Sequence, residues 1–186
     1  MTNLESTVFV VDDDDAVRDS LLDLVDSVGL NVEAFSSAQS FLDSYDPLRP
    51  GCLVLDIRMP GMSGLDLQDR LAEIGSVLPI IFITGHGDIP MAVRAMQRGA
   101  VDFIQKPFRD QELLDRINDA LEKGTRSFEV QEQQAEFTLR VKNLTQRERE
   151  VMEMIVNGKA NKVISIDLGL SQRTVELHRA RVMEKM

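Results

Sequence analysis

A chain of 186 residues, 43% hydrophobic and 28% charged, can form one large domain or two modest ones, each with its own apolar core. It contains no apolar run long enough to span a membrane. The N-terminus MTNLESTVFVVDD lacks the features of a secretory signal, and the single cysteine, Cys52, excludes an internal disulfide and fits core filling in a cytoplasmic protein. The net charge of −10 is uneven, with residues 141–186 carrying +3 and the first 140 residues −13, so an acidic module precedes a basic one that is suited to polyanions.

Residues 7–11 are apolar and β-rich and predict a strand that runs into Asp12, Asp13, Asp14 and Asp15. Val17, Leu21, Leu24, Val25 and Val28 then recur at helical spacing up to Gly29. Residues 31–35 read as a second strand and 37–45 as a helix. Residues 52–55, CLVL, form a short apolar run that suits a fully buried third strand; it ends at Asp56, and Pro60-Gly61 and Ser63-Gly64 supply a loop and a helix start. A helix with Leu65, Leu67 and Leu71 follows, then a strand at 80–83, a helix at 89–98, a short strand at 102–105 and a helix at 109–121.

Five strands alternating with five helices predict a parallel sheet with right-handed crossovers. A flavodoxin-like order 2-1-3-4-5 sets strands one and three side by side at the switch point, where open α/β sheets bind ligands. Asp12 and Asp13 leave strand one, Asp56 strand three, Thr84 strand four and Lys106 strand five, so all five meet at one edge. Carboxylates this close repel unless a cation neutralises them, and Mg²⁺ suits oxygen ligands shared with a phosphate. Lys106 can meet phosphoryl oxygens, Thr84 can donate to them, and Asp56 can attack phosphorus to become an acyl phosphate. Asp14 and Asp15 read instead as a solvated run capping the first helix.

Residues 122–143 are polar and charge-mixed, with Leu121, Phe128 and Ala135 seven apart, and read as a helical linker. Thr145-Gln146-Arg147-Glu148 is a capping box for a helix that stops at Gly158. Residues 161–168 form a second helix, Gly169-Leu170 a turn, and Ser171 caps a third helix running to the chain end. This is the shape of a helix-turn-helix. In its third helix Val175, Val182 and Met186 share the anchoring face, while Arg173, Leu177 and Ala180 lie opposite, flanked by Glu176 and Arg181, and suit base edges in a major groove. Lys162, Thr174, His178 and Arg179 are placed for phosphates.

The stretches VVDDDDAVR, LDIRMPGMSG, ITGHGDIPMAVRAMQRGAVDFIQKPF, LTQREREVM and LSQRTVELHRARVMEKM resemble a bacterial two-component response regulator. The class is NarL/FixJ, a (βα)5 receiver joined to a small all-α LuxR-type helix-turn-helix. The resemblance implies a receiver at 1–121, a linker at 122–143 and a DNA-binding domain at 144–186 that lacks its last helix, since members continue past the position of Met186. It implies that Asp56 takes a phosphoryl group from a sensor histidine kinase. Asp13 would bind Mg²⁺ (or Mn²⁺) directly and Asp12 largely through water, with the Arg58 backbone carbonyl completing the set. Lys106 would pair with the phosphoryl group, the Lys106-Pro107 bond would be cis, and Thr84 and Phe103 would move inward as a switch.

In the fourth helix Ile89, Ala92, Val93 and Met96 read as the core stripe, with Met91 and Ala95 opposite. A second apolar face points to a partner, and the resemblance implies a phosphorylation-dependent homodimer through this region. The expected function is phosphorylation-controlled binding to double-stranded DNA and control of transcription, with no enzymatic action beyond the chain's own phosphorylation and dephosphorylation. Two alternatives stand beside it: a Mg²⁺-dependent phosphohydrolase with Asp56 as nucleophile, and a phosphate-independent DNA-binding adaptor.

Overall fold

The structure, a computed structural model, describes residues 6–85 and 89–186. The chain divides into two compact units, Met1–Glu129 and Val130–Met186. The first holds five strands, β1 (Thr7–Val11), β2 (Asn31–Phe35), β3 (Gly51–Asp56), β4 (Ile80–Thr84) and β5 (Asp102–Gln105). All neighbours pair in parallel, in the order β2-β1-β3-β4-β5. The intervening helices are α1 (Asp15–Ser27), α2 (Ala38–Ser44), α3 (Gly64–Glu73) and α4 (Ile89–Gln97). The helix that follows β5, α5 (Asp110–Lys142), begins in the first unit and ends in the second.

Strand alternation assigns the two faces of the sheet. Phe9, Val11, Leu53, Leu55 and Phe82 point one way and pack with Phe41 of α2, Leu67 and Leu71 of α3 and Ala95 of α4. Val8, Val10, Cys52, Val54, Ile81, Ile83 and Ile104 point the other way, against Leu21 and Val25 of α1 and Leu113 and Ile117 of α5. With helices on both faces, the middle strands are buried at every position and apolar between their ends, the polar Thr7, Asp56 and Thr84 standing at strand termini. Fully burying a side chain of this size contributes roughly 1.5–3 kcal/mol.

Two sequence expectations are corrected here. The helix expected at 109–121 and the helical linker expected at 122–143 are one uninterrupted helix ending at Lys142. Gly124, a helix breaker on propensity, is buried in the helix because α5 crosses the backbone there. A Cβ at Gly124 would sit 2.3 Å from the Gly51 carbonyl oxygen, so the missing side chain permits the crossing.

The second correction concerns α4, whose faces are reversed. Ala95 is fully buried and Met91 packs on the core, whereas Ile89, Val93 and Met96 are exposed and Ala92 is half-buried. Ala95 and Met91 face the sheet-side core, beside α3. The buried Gln68 of α3 donates from Nε2 to the Ala95 carbonyl at 3.1 Å, tying this face of α4 inward and leaving the bulky stripe outside.

The second unit contains α6 (Gln146–Val156), α7 (Asn161–Leu168) and α8 (Gln172–Lys185). Their core centres on Val151, Ile164 and Val175, with Met154, Ile155, Leu168 and Leu170 packed around it. The capping box at Thr145 and Glu148 is formed, Gly169 ends α7 in the left-handed region at φ 65°, and Ser171 caps α8. No helix among the described residues is long and apolar enough to cross a membrane.

Candidate functional site

Parallel strands and their register bring Asp12, Asp56, Thr84 and Lys106 to the carboxyl edge of the sheet. Asp12 directly follows β1 and is fully buried, with its backbone N–H donating to the Phe35 carbonyl at 3.3 Å. Asp56 ends β3 and is buried, and Thr84 ends β4 and is buried. Lys106 follows β5, its backbone N–H donates to the Thr84 carbonyl at 2.8 Å, and the Lys106–Pro107 peptide is cis.

Carboxylate oxygens of Asp12, Asp13 and Asp56 lie within 4.8 Å of one another. Lys106 Nζ donates to Asp12 Oδ2 at 2.7 Å and stands 3.8 Å from Asp56 Oδ2. Asp12 Oδ1 accepts the Asp14 backbone N–H at 2.9 Å. Asp13 is exposed, so the cluster opens to solvent on that side. Burial pushes the Asp56 carboxyl above its ordinary range, Lys106 opposes this, and the charge of Asp12 adds to it.

The loop after β3 brings its backbone close to the same point. The Arg58 N–H approaches Asp56 Oδ1 at 3.4 Å, while the Arg58 side chain is exposed. Gly64 opens α3 directly against Asp56, and a Cβ there would lie 2.3 Å from the Asp56 carbonyl oxygen. Ser63 and Asp66 close a capping box that fixes this helix start. Asp14 and Asp15 stand outside the cluster: Asp14 is the α1 N-cap, accepting from Ala16 and Val17, and Asp15 pairs with Arg18.

Three carboxylates converging without enough positive charge are a donor set for a small hard cation, and oxygen-only ligands fit Mg²⁺. Asp12, Asp13 and Asp56 would hold it. Phe103 sits in β5 beside Phe82, half-buried against the α2–α4 face of the core. A groove lined by Val17, Leu21, Leu24, Pro107 and Phe108 adjoins Lys106.

Sequence reading missed one participant. Arg18 Nη1 donates to the Asp12 carbonyl at 2.9 Å, reaching back to the edge from the first turn of α1. The only signal in the sequence is a basic residue six positions after Asp12. His86, read as part of a glycine-flanked loop, lies outside the described residues.

In the second unit, Lys162, Arg173, Glu176, Leu177, Arg179, Ala180 and Arg181 are exposed, and Thr174 and His178 are half-buried. Arg173, Glu176, Leu177, Ala180 and Arg181 share α8 on the side away from Val175 and Val182. Two residues expected at phosphates have intramolecular ties: Arg179 Nη1 donates to Asn161 Oδ1 at 3.2 Å, and the Thr174 hydroxyl is 2.7 Å from that of Ser171. His178 Nδ1 is buried without a hydrogen-bond partner among the described residues.

Residues 8–118 match the response regulator receiver domain family, and residues 142–186 match the luxR family of bacterial regulatory proteins. The chain is 47% identical over 186 residues to the response regulator protein TmoT of Ectopseudomonas mendocina, covering all of this chain and 84% of that protein. It is 49% identical over 179 residues to the transcriptional regulatory protein FixJ of Azorhizobium caulinodans, covering 96% of this chain and 85% of that one. The solved structure of response regulator StyR superposes with a TM-score of 0.86 at 46% identity, covering 97% of this chain and 91% of that chain. The acidic edge of the sheet, the helix-turn-helix and these likenesses agree: the chain belongs to the response regulators, with a receiver domain joined to a LuxR-type DNA-binding domain.

Proposed function

We propose that Asp56 is the phosphoacceptor and that its phosphorylation controls DNA binding by α8. The observation that carries this reading is Lys106, held 2.7 Å from Asp12 and 3.8 Å from Asp56 beside three clustered carboxylates. An Asp56 oxygen forms the new P–O bond as the P–N bond of a sensor kinase's phosphohistidine breaks, and the electron pair stays with the imidazole. Mg²⁺, or Mn²⁺ in its place, neutralises the carboxylates and the incoming phosphoryl oxygens when bound. Asp12, Asp13, Asp56 and the Arg58 backbone carbonyl are its ligands in this reading.

Lys106 then exchanges its Asp12 contact for a phosphoryl oxygen, and the Thr84 hydroxyl donates to another. Phe103, already half-buried behind β4, moves further inward, and α4 adjusts with it. The exposed Ile89, Val93 and Met96 give a homodimer its apolar surface. The working partition is a receiver at 1–121, a linker at 122–143 and a DNA-binding domain at 144–186, acting on a double-stranded operator in the cytoplasm. Arg173, Glu176, Leu177, Ala180 and Arg181 are assigned to base edges and Lys162, Thr174, His178 and Arg179 to the phosphates around them. In this reading the chain catalyses only its own phosphorylation and dephosphorylation.

The test is incubation of the full chain with Mg²⁺ and acetyl phosphate. An acid-stable, base-labile adduct is expected, absent from Asp56→Asn. An adduct that persists in that variant moves the phosphoacceptor to another residue.

A further inference from the structure

Arg18 takes no part in the phosphoryl chemistry above, yet its placement is specific. Its side chain is only 15% exposed, and arginine is seldom buried unless paired. Nη1 donates to the Asp12 carbonyl oxygen at 2.9 Å, and Nη2 pairs with the Asp15 carboxylate. That carbonyl belongs to the peptide joining Asp12 to Asp13. The Asp12 carboxylate is held separately, by the Asp14 N–H at 2.9 Å and by Lys106 at 2.7 Å. Asp12 is thus gripped at three oxygens, and the Arg18 contact orients the peptide plane from which Asp13 departs.

A guanidinium near three carboxylates has two opposing effects on a bound cation. As a net positive charge it would repel the cation. As a clamp it would hold the ligands in the binding geometry before the cation arrives, which raises affinity. The Asp15 pair decides between them: with that carboxylate in direct contact, the guanidinium acts at the cluster more as a dipole than as a free charge.

We infer that Arg18 is a positioning residue for the divalent cation, raising its affinity through the Asp12–Asp13 peptide without touching it. This rests on the reading of Asp12, Asp13 and Asp56 as the cation site. A basic residue on the first helix turn thereby becomes a determinant of the metal concentration at which the receiver operates.

The experiment is calorimetric titration of the full chain with MgCl₂, for the native protein, Arg18→Met and Arg18→Lys, alongside melting of each metal-free form. Arg18→Met is expected to bind Mg²⁺ about tenfold more weakly, the low end of the range for outer partners of metal ligands. Arg18→Lys, which keeps the charge but not the fork, should fall between Arg18→Met and the native protein. Saturating Mg²⁺ should restore acetyl phosphate labelling in both variants to the native extent, a result that general loss of structure does not give. Unchanged or tighter binding in Arg18→Met overturns the inference while leaving the cation site intact. If Arg18→Met does not fold, native affinity in Arg18→Lys overturns it equally. Absence of Mg²⁺ binding in the native protein instead removes the cation site, and the inference falls with it.

Discussion

Each unit buries a carboxylate beside a lysine, and the two contacts differ in what satisfies the acid. In the second unit, Glu148 Oε2 accepts Lys185 Nζ at 2.6 Å and the Thr145 backbone N–H at 2.9 Å, and Lys185 also reaches the Asn143 carbonyl at 3.4 Å. These bonds, led by Lys185, pull the Glu148 carboxyl down to about 2. In the first unit Asp56 is pushed up by burial, with Lys106 spending its short contact on Asp12. Glu148 is complete within its own chain and closes α6 against the end of α8. Asp56 is held more loosely, by the Arg58 N–H at 3.4 Å and by Lys106 at 3.8 Å, and a buried acid held this way at a sheet edge is where a cation and a phosphoryl group would be accommodated.

Lys106 is the position where substitution should do most damage. Lys106→Met removes a cation shared by Asp12 and Asp56, and labelling by acetyl phosphate should fall by about 10²-fold, as for loss of a charged donor at a reacting oxygen. Added Mg²⁺ should raise the melting temperature of this variant more than that of the native protein, because the cation replaces the lost positive charge. Equal Mg²⁺ effects would mean that Lys106 and the cation do not share the three carboxylates, and no effect in either protein would mean that the carboxylates do not bind it.

Next in size is Ile164→Ala, which should cost about 3 kcal/mol in the small helical core. That is a large fraction of what such a unit holds in total. Segment-resolved hydrogen exchange should show loss of protection in α6–α8 while β1–β5 keep theirs. Uniform loss across both units would contradict their separate cores.

Acid provides the third test. Glu148 has a folded-state pKa of about 2 against an ordinary 4.5, so the unfolded chain takes up the proton first as pH falls. Its stabilisation is complete above the ordinary value and drains away toward the folded one. Protection of α6–α8 should therefore decline between about pH 4.5 and about pH 2, less steeply in Glu148→Gln. Glu33, lowered by its Arg49 hydrogen bond, gives the receiver an acid sensitivity of its own, which Glu148→Gln leaves untouched.

Asp14→Ala should have the smallest effect. Removing the α1 N-cap costs about 1 kcal/mol, and labelling of the chain should be unaffected because the Asp14 side chain lies outside the acidic cluster. A loss of labelling would place Asp14 within the chemistry after all.

Much of this was legible in the sequence because strand ends are punctuated. Val11 gives way to Asp12, Leu55 to Asp56 and Gln105 to Lys106, and the parallel topology then brings those positions together. The α4 error has a different origin: periodicity shows that Ile89, Val93 and Met96 share a stripe, but not whether the stripe meets the sheet. The helical character of 122–143 was legible, but its continuity with 109–121 was not, since Gly124 disfavours a helix by propensity and the neighbouring Gly51 carbonyl accounts for its place in α5. The Glu148 capping box was visible locally, whereas its ion pair with Lys185, 37 residues away, needed the fold. Arg18 was invisible for a related reason, since its target is a backbone carbonyl that no residue type announces.

Asp56, at the meeting of β3 with the acidic edge, is the residue proposed to carry the phosphoryl group. Borohydride reduces an acyl phosphate to the alcohol, converting the labelled aspartate to homoserine, which peptide mass mapping can place in the chain. After treatment with acetyl phosphate and Mg²⁺, homoserine is predicted at position 56 alone. Homoserine at position 12 or 13, or at any acid of the second unit, would contradict the account.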